Sequence, residues 1–332
     1  MRILVWHVHG SWTTSFVSGC HEYLLPVVAD RSADGRGRAR TWDWPQAARE
    51  VSPEQLAHED IDVVVLQRPH EVELTETWTR RRPGRDVPAV YLEHNTPGGD
   101  VPFSRHPLAD SADIPVVHVT HFNALIWDSG RAPSRVIEHG IVDPGHRYTG
   151  ESARAAVVVN DPIRRGRAVG TDLLAQLAAA ASLDVFGMNV EGLPDHVGMS
   201  PDRLRTYEDL PQHALHEQLA RRRVYVHTSR WTSLGLSLIE AMQLGMPVVA
   251  LATTEAMMAV PSSAGVVSTR VEDLMSAVRR YVQDPSLAQR AGAAAREAAL
   301  SRYGLGRFLA DWDAVLAESV DSGRARNRTT AP

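Results

Sequence analysis

The sequence contains no lysine, so all 35 of its basic residues are arginine. Chemistry through a lysine Schiff base is excluded. Where a lysine would grip phosphate, arginine is the obvious substitute, and its planar fork suits phosphate. Cysteine is almost absent too. Cys20 stands alone, so no internal disulfide can form and a stapled secreted fold is excluded. Its setting, Val17 to His21, reads as part of a first helix with the thiol buried. No apolar run approaches the roughly 18 residues that cross a bilayer. Residues 1–8 lead straight into an apolar strand and lack the marks of a secretory leader. A cytoplasmic protein without a membrane span is expected. Excess charge of one sign is missing as well: the formal net charge is −5, which offers nucleic acid no basic surface.

What is present is 332 residues, 43% of them hydrophobic, enough for two domains with sizeable cores. Short apolar runs alternate with longer amphipathic segments. Strands are expected at 3–8, 62–66, 89–92, 116–119 and 135–137, with a helix over 16–28. The pattern restarts with strands at 156–159, 183–186, 224–227, 247–250 and 265–267. Helices are expected at 171–181, 236–244, 271–282, 287–300 and 308–316. Such alternation predicts parallel strands with crossover helices. The fold class is therefore α/β: two facing Rossmann-like, doubly wound domains with a cleft between them. Residues 31–38 read as a mobile segment, and 97–113 as a long binding loop or lid.

Ligands in such sheets sit beyond the carboxyl ends of the strands, so the residues following each strand are the candidates. After the strand ending at His227, a loop leads through Gly235 into a helix carrying Glu240. A glycine loop opening a helix presents free N–H groups and a favourable dipole to phosphate, and a carboxylate about a turn further in can reach a ribose diol. After the strand 156–159 comes Asn160-Asp161-Pro162-Ile163-Arg164-Arg165-Gly166-Arg167-Ala168-Val169-Gly170. Three arginines at a strand end suit bidentate contact with phosphate.

The run Gly235-Leu236-Ser237-Leu238-Ile239-Glu240-Ala241-Met242, followed by Gly245-Met246-Pro247-Val248-Val249, resembles the donor-site signature of glycosyltransferase family 4 enzymes of the GT-B fold. That signature pairs two glutamates. Glu240 matches the second, which in the family binds the ribose, while Thr232 stands where the first would be. The resemblance implies that the Ser233, Leu234, Gly235, Leu236 and Ser237 backbone faces the diphosphate and the sugar. The arginine loop resembles the family's diphosphate-binding loop. It implies Arg164 and Arg167 as clamps, with Arg165 and Gly170 beside them and Val169 in place of the usual lysine. Segments 136–144 (Val-Ile-Glu-His-Gly-Ile-Val-Asp-Pro) and 185–187 (Val-Phe-Gly) resemble further family elements.

The first half matches less. Trp6-His7-Val8-His9-Gly10-Ser11-Trp12 follows the first strand where relatives carry a glycine-rich loop. His9, Gly10 and Ser11 are candidates for the acceptor or phosphate side. Glu93-His94-Asn95 ends another strand where relatives carry a histidine near the transferred sugar. His94 is expected to donate a hydrogen bond there, with Asn95 alongside. His213, His216 and Glu217 share a helix without a third ligand at zinc-site spacing, and read as surface residues.

The resemblance implies domains at 1–145 (acceptor) and 146–305 (nucleotide-sugar donor), a helix at 306–320 returning to the first domain, and a flexible tail at 321–332. It implies transfer of a hexose, with retention and without metal or cofactor, from a nucleotide-diphosphate sugar (UDP foremost, glucose as the first sugar) to an acceptor. Two other readings share the donor site: a sugar-nucleotide epimerase of the same fold, and a non-catalytic nucleotide-sugar-binding protein, for which Thr232 and Val169 speak.

Overall fold

The computed structural model describes residues 1–40 and 42–329, with the side chains of 326–329 left aside. The chain forms two compact units, Met1–Ile141 together with Leu305 onward, and Val142–Gly304.

The first unit holds a seven-stranded sheet of β1 (Arg2–Val5), β2 (Glu22–Pro26), β3 (Ala48–Val51), β4 (Val63–Leu66), β5 (Ala89–Glu93), β6 (Val116–His118) and β7 (Ser134–Val136), in the order β3-β2-β1-β4-β5-β6-β7. Every pairing is parallel. Strand residues alternate between two cores. Ile3, Val5, Val63, Val65, Val90 and Leu92 face one, while Leu4, Trp6, Val64, Leu66, Ala89 and Tyr91 face the other. Burial on both faces is why these strands read as unbroken apolar runs.

The last helix, Leu305–Thr329, closes the first of these cores. Phe308, Trp312, Val315, Leu316 and Val320 recur at helical spacing and are all buried. Trp312 meets Trp12 and Phe16 edge-on at 5.5 and 5.2 Å between ring centroids.

The second unit holds β8 (Ser152–Val158), β9 (Leu183–Gly187), β10 (Leu204–Glu208), β11 (Arg222–His227), β12 (Val248–Leu251) and β13 (Gly265–Ser268), in the order β10-β9-β8-β11-β12-β13. It too is wholly parallel. In each sheet the order reverses once, between β1 and β4 and between β8 and β11. There the following connections leave in opposite directions and open a crevice. Both units are Rossmann-like and doubly wound.

Several expectations are corrected. The helix is Gly10–Val17, and residues 22–26 form β2 instead of continuing it. A five-residue apolar run fits either period, and here the sheet claims Tyr23, Leu24 and Leu25. Cys20 consequently lies in the intervening turn and is exposed. Strands β3 and β10 carry arginine and glutamate among their apolar residues (AREV, LRTYE) and give a weak strand signal. The expected helix at 171–181 is a 3-10 turn, Thr171–Leu173, followed by a short helix, Leu174–Ala178. Segment 31–38 is anchored: Glu50 accepts from Arg31 Nη1 at 2.8 Å and from the Arg38 N–H at 2.9 Å. The last helix continues through 321–329 where a tail was expected, and residues 330–332 of that expectation lie outside the described residues.

Candidate functional site

In the second unit the two connections at the strand-order reversal are stitched together. The loop after β8 turns on Asp161 (φ +53°) and Gly170 (φ +80°). The Thr228 hydroxyl donates to the Val169 carbonyl at 2.7 Å. The Arg230 and Trp231 N–H groups both donate to the Ala168 carbonyl, at 2.8 and 3.1 Å. Gly170 lies so close to the neighbouring loop that a Cβ there would stand 2.2 Å from the Thr228 carbonyl oxygen. Glycine answers both the left-handed backbone and this approach. Gly187 at the end of β9 is equally constrained, with φ +143° and the Val159 carbonyl 2.0 Å from where its Cβ would be.

The arginines of this loop differ in their partners. Arg164 pairs with Asp161 at 2.7 Å. Arg167, largely exposed, pairs with Asp172 at 2.8 Å. Asp172 also takes Arg230, which with Arg167 holds its carboxyl below the usual carboxylate range. Arg165 has no ion pair among the described residues. Gly166, Arg167, Thr171 and Asp172, with His196 and Val197, line a cavity of about 300 Å³. Val169, where relatives carry a basic residue, points into the core and is 2% exposed.

The helix Leu236–Leu244 starts from Gly235 in extended geometry, and no side chain caps its first turn. The Leu238 N–H bonds back to the Gly235 carbonyl at 3.0 Å, and the positive end of the helix dipole lies at this start. Gly235 sits on His227, whose Cε1 would lie 2.7 Å from a Cβ. Burial lowers the His227 pKa to about 4. The Ser237 hydroxyl meets the Tyr225 hydroxyl at 3.0 Å. Glu240 is buried, with His216 Nε2 at 3.5 Å from its carboxylate. His216 is thus no surface residue: its helix, Gln212–Ala220, packs on the Leu236–Leu244 helix and encloses the ring. Ser233 and Leu234 are buried in the intervening loop.

In the first unit the helix Gly10–Val17 likewise begins without a side-chain cap, after His9. The His9 ring stacks obliquely on His94, 4.1 Å between centroids. His94 directly follows β5 and is nearly buried; Gln67, directly after β4, holds its Nε2 at 2.9 Å. His139 joins them electrostatically. Burial is the main cause that depresses all three: His9 to about 4, His139 to about 3, and His94 well below the normal histidine range. The sequence reading placed His9 and His94 here. It missed Gln67, which follows β4 directly, and His139, three residues after β7.

A second network fixes the start of the loop after β5. His106 Nδ1 accepts from the Leu108 N–H at 3.1 Å, so its Nε2 is the protonated nitrogen that donates to Glu93 at 3.2 Å. The other Glu93 oxygen takes the Asn95 N–H at 2.7 Å. Asn95 itself is exposed, and its carbonyl accepts from the Trp127 indole at 2.8 Å. One cluster of three potential metal ligands occurs among the described residues, Cys20, His21 and Asp313, at the opposite end of β2 from Pro26.

Residues 199–298 match the family described as "Glycosyl transferases group 1". The second unit carries a group 1 glycosyl transferase segment. That match takes in the Leu236–Leu244 helix and Glu240 but ends short of the arginine loop. The chain has the GT-B fold. It superposes on a sucrose-phosphate synthase from Thermosynechococcus elongatus with a TM-score of 0.73 at 14% identity, covering 97% of this chain and 100% of that one. It superposes on Anabaena HepE in complex with UDP with a TM-score of 0.70 at 16% identity, covering 96% and 100%. A glycosyltransferase from Rickettsia africae gives 0.66 at 13% identity, covering 96% and 98%. A search of curated proteins gave no match. The group 1 match and the GT-B fold together support glycosyl transfer. No helix among the described residues is long and apolar enough to cross a membrane.

Proposed function

We propose that this protein transfers a hexose from a nucleotide-diphosphate sugar, UDP-glucose being the first donor to test, with retention and without a metal. The observation that carries the reading is the joined pair of loops at the β8/β11 reversal. It sets an arginine-rich turn beside an uncapped helix start, with Glu240 further along that helix. Structures of a neighbour of like fold hold UDP and UDP-glucose, which supports the choice of base and sugar.

In this reading Glu240 binds the ribose diol, and the Ser233–Ser237 backbone faces the diphosphate. Arg164, Arg165 and Arg167 then neutralise the charge that grows on the departing nucleotide. Such preorganised charge and dipoles act where the anion develops and need no reorganisation during reaction. With phosphate so stabilised, the acceptor hydroxyl attacks from the face the nucleotide leaves, and its proton passes to phosphate.

A thermal-shift series with UDP, GDP, ADP and TDP tests the donor site. A ligand at about a hundred times its dissociation constant stabilises by roughly 2.7 kcal/mol. One nucleotide should stand out, UDP first. Absence of any shift removes the assignment, and binding without turnover of any sugar nucleotide favours a non-catalytic binding protein.

The ion pairs rank the arginines. Arg165 offers an uncompensated charge, whereas Arg167 is exposed and shares Asp172 with Arg230. Arg165→Ala should weaken UDP binding about tenfold or more, as expected for a charge-assisted hydrogen bond worth roughly 1.5–3 kcal/mol. Arg167→Ala should cost less. Titration calorimetry on both variants decides, and equal or inverted losses would contradict the ranking.

A further inference from the structure

The amino end of β2 carries chemistry that glycosyl transfer does not use. Residues Ser18 to His21 join the Gly10–Val17 helix to β2. This turn is held from both sides. The Ser18 and Gly19 N–H groups donate to the Ser15 and Phe16 carbonyls, each at 3.3 Å, and the Glu22 N–H donates to the Met1 carbonyl at 3.0 Å. Gly19 lies close against the buried Tyr23, whose hydroxyl oxygen would stand 2.4 Å from a Cβ. The Tyr23 ring also flanks His21, 6.2 Å between centroids.

Asp313 comes to this turn from the last helix. It follows Trp312, whose packing on Trp12 and Phe16 fixes that stretch of the helix. Asp313 meets His21 Nε2 at 3.0 Å. Cys20 Sγ lies 4.0 Å from His21 Nδ1. The His21 side chain is only 12% exposed, whereas that of Asp313 is 47% exposed and Cys20 is open to solvent. The ring is thus fixed, and the groups on either side of it have room to turn.

One ligand atom from each of Cys20, His21 and Asp313 lies within 4.8 Å of the others. Around a tetrahedral zinc ion, sulfur, nitrogen and oxygen ligands stand roughly 3.3–3.8 Å apart. Rotating the Cys20 and Asp313 side chains by about 1 Å closes that gap. A thiolate, a neutral imidazole and a carboxylate together bear two negative charges, which a divalent cation cancels. The thiolate and imidazole favour zinc over magnesium or calcium, which take oxygen ligands.

We propose that Cys20, His21 and Asp313 bind a zinc ion, with water in the fourth tetrahedral place, and that the ion clips the last helix to the turn before β2. The clip joins residues 292 positions apart in the chain. It lies at the amino end of β2, whereas the candidates His9 and His94 follow the carboxyl ends of β1 and β5. Its role is therefore to hold the fold of the first unit, and it does not depend on the glycosyl-transfer reading.

Cobalt(II) takes the place of zinc and reports its ligands by absorption. A thiolate ligand adds a charge-transfer band in the near ultraviolet, and tetrahedral geometry gives strong bands in the visible. Cys20 is the only cysteine in the chain, so the charge-transfer band can come from no other residue of the protein. Titrating cobalt into the full-length, reduced protein should raise both bands to a plateau at one metal per chain. Added zinc should then bleach them. Affinity should rise with pH, because the thiol must lose its proton to bind.

Cys20→Ser should abolish the near-ultraviolet band. Asp313→Asn and His21→Gln should each weaken binding by at least about tenfold, the lower end of what perturbing a metal site costs. Zinc should raise the melting temperature of the wild type and leave that of Cys20→Ser unchanged. Should His21→Gln fail to fold, the half-exposed Asp313→Asn still decides. Absence of a thiolate band at saturating cobalt overturns the site. Wild-type affinity in Asp313→Asn, or a plateau at one metal per two chains, overturns the clip to the last helix.

Discussion

Gly170→Ala should all but abolish nucleotide binding while also lowering the stability of the second unit. At φ +80° a side chain costs roughly 1–2 kcal/mol from backbone strain alone. The added Cβ would press on the Thr228 carbonyl oxygen from 2.2 Å, a backbone atom that cannot swing aside. Relief requires the two loops to part. Their separation breaks the Thr228–Val169, Arg230–Ala168 and Trp231–Ala168 hydrogen bonds. The arginine turn and the helix start then lose their register, and contacts that depend on ångström-level placement go with it. A loss of UDP affinity of about a hundredfold is expected, on the scale of one charge-assisted contact. Gly292→Ala is the control. Its Cβ would clash with the Gly245 carbonyl at 1.9 Å, at the opposite end of the Leu236–Leu244 helix from the loops. It should lower the melting temperature and leave the affinity unchanged when both variants are titrated at a temperature where they are folded. An unaltered affinity in Gly170→Ala would remove the loop pair from the donor site.

The second large effect is acid sensitivity confined at first to one unit. His94, His118 and His139 are all nearly buried in the first unit. His118 is held at about 4 and His139 at about 3, chiefly by burial, and His94 lies well below its normal range. The unfolded chain takes up these protons near pH 6.5. Between there and about pH 4 the unfolded state binds more protons than the folded one, so stability falls as pH falls. His118 and His139 each remove on the order of 2 kcal/mol by about pH 4.5 and His94 adds to the loss, a large share of the roughly 5–15 kcal/mol stability of a whole domain. The second unit has His227 alone in this class of strongly depressed histidines among the described residues. Every tryptophan except Trp231 lies in the first unit. Tryptophan emission should therefore shift to the red near pH 5, before the far-ultraviolet circular dichroism is fully lost. A single coincident transition, or unchanged emission down to about pH 4, would contradict this.

The parallel sheets were legible because strands buried on both faces spell themselves out, as Val63-Val64-Val65-Leu66 does. β3 and β10 were not, since these edge strands are only partly buried and carry charged residues on their faces. The strand-end rule picked out Glu240 and the arginines as candidates in the second unit, and His9 and His94 in the first. It did not reveal how they are paired. Arg164 and Arg167 meet Asp161 and Asp172 a few residues away, whereas Gln67 reaches His94 from the end of the neighbouring strand. His216 was misplaced because its enclosure comes from a helix distant in sequence. Tautomers and partners belong to tertiary contacts, and spacing along the chain does not encode them.

The return of the last helix has a consequence for biosynthesis. Trp12 and Phe16 leave the ribosome long before the Phe308–Trp312 face that covers them. Domains ordinarily mature in the order of their synthesis. Here the Val142–Gly304 unit is contiguous and has all its parts while the earlier sheet still awaits its final helix. The nascent amino-terminal half must pass through translation with its aromatic side uncovered, and a message truncated after codon 304 would leave it so permanently.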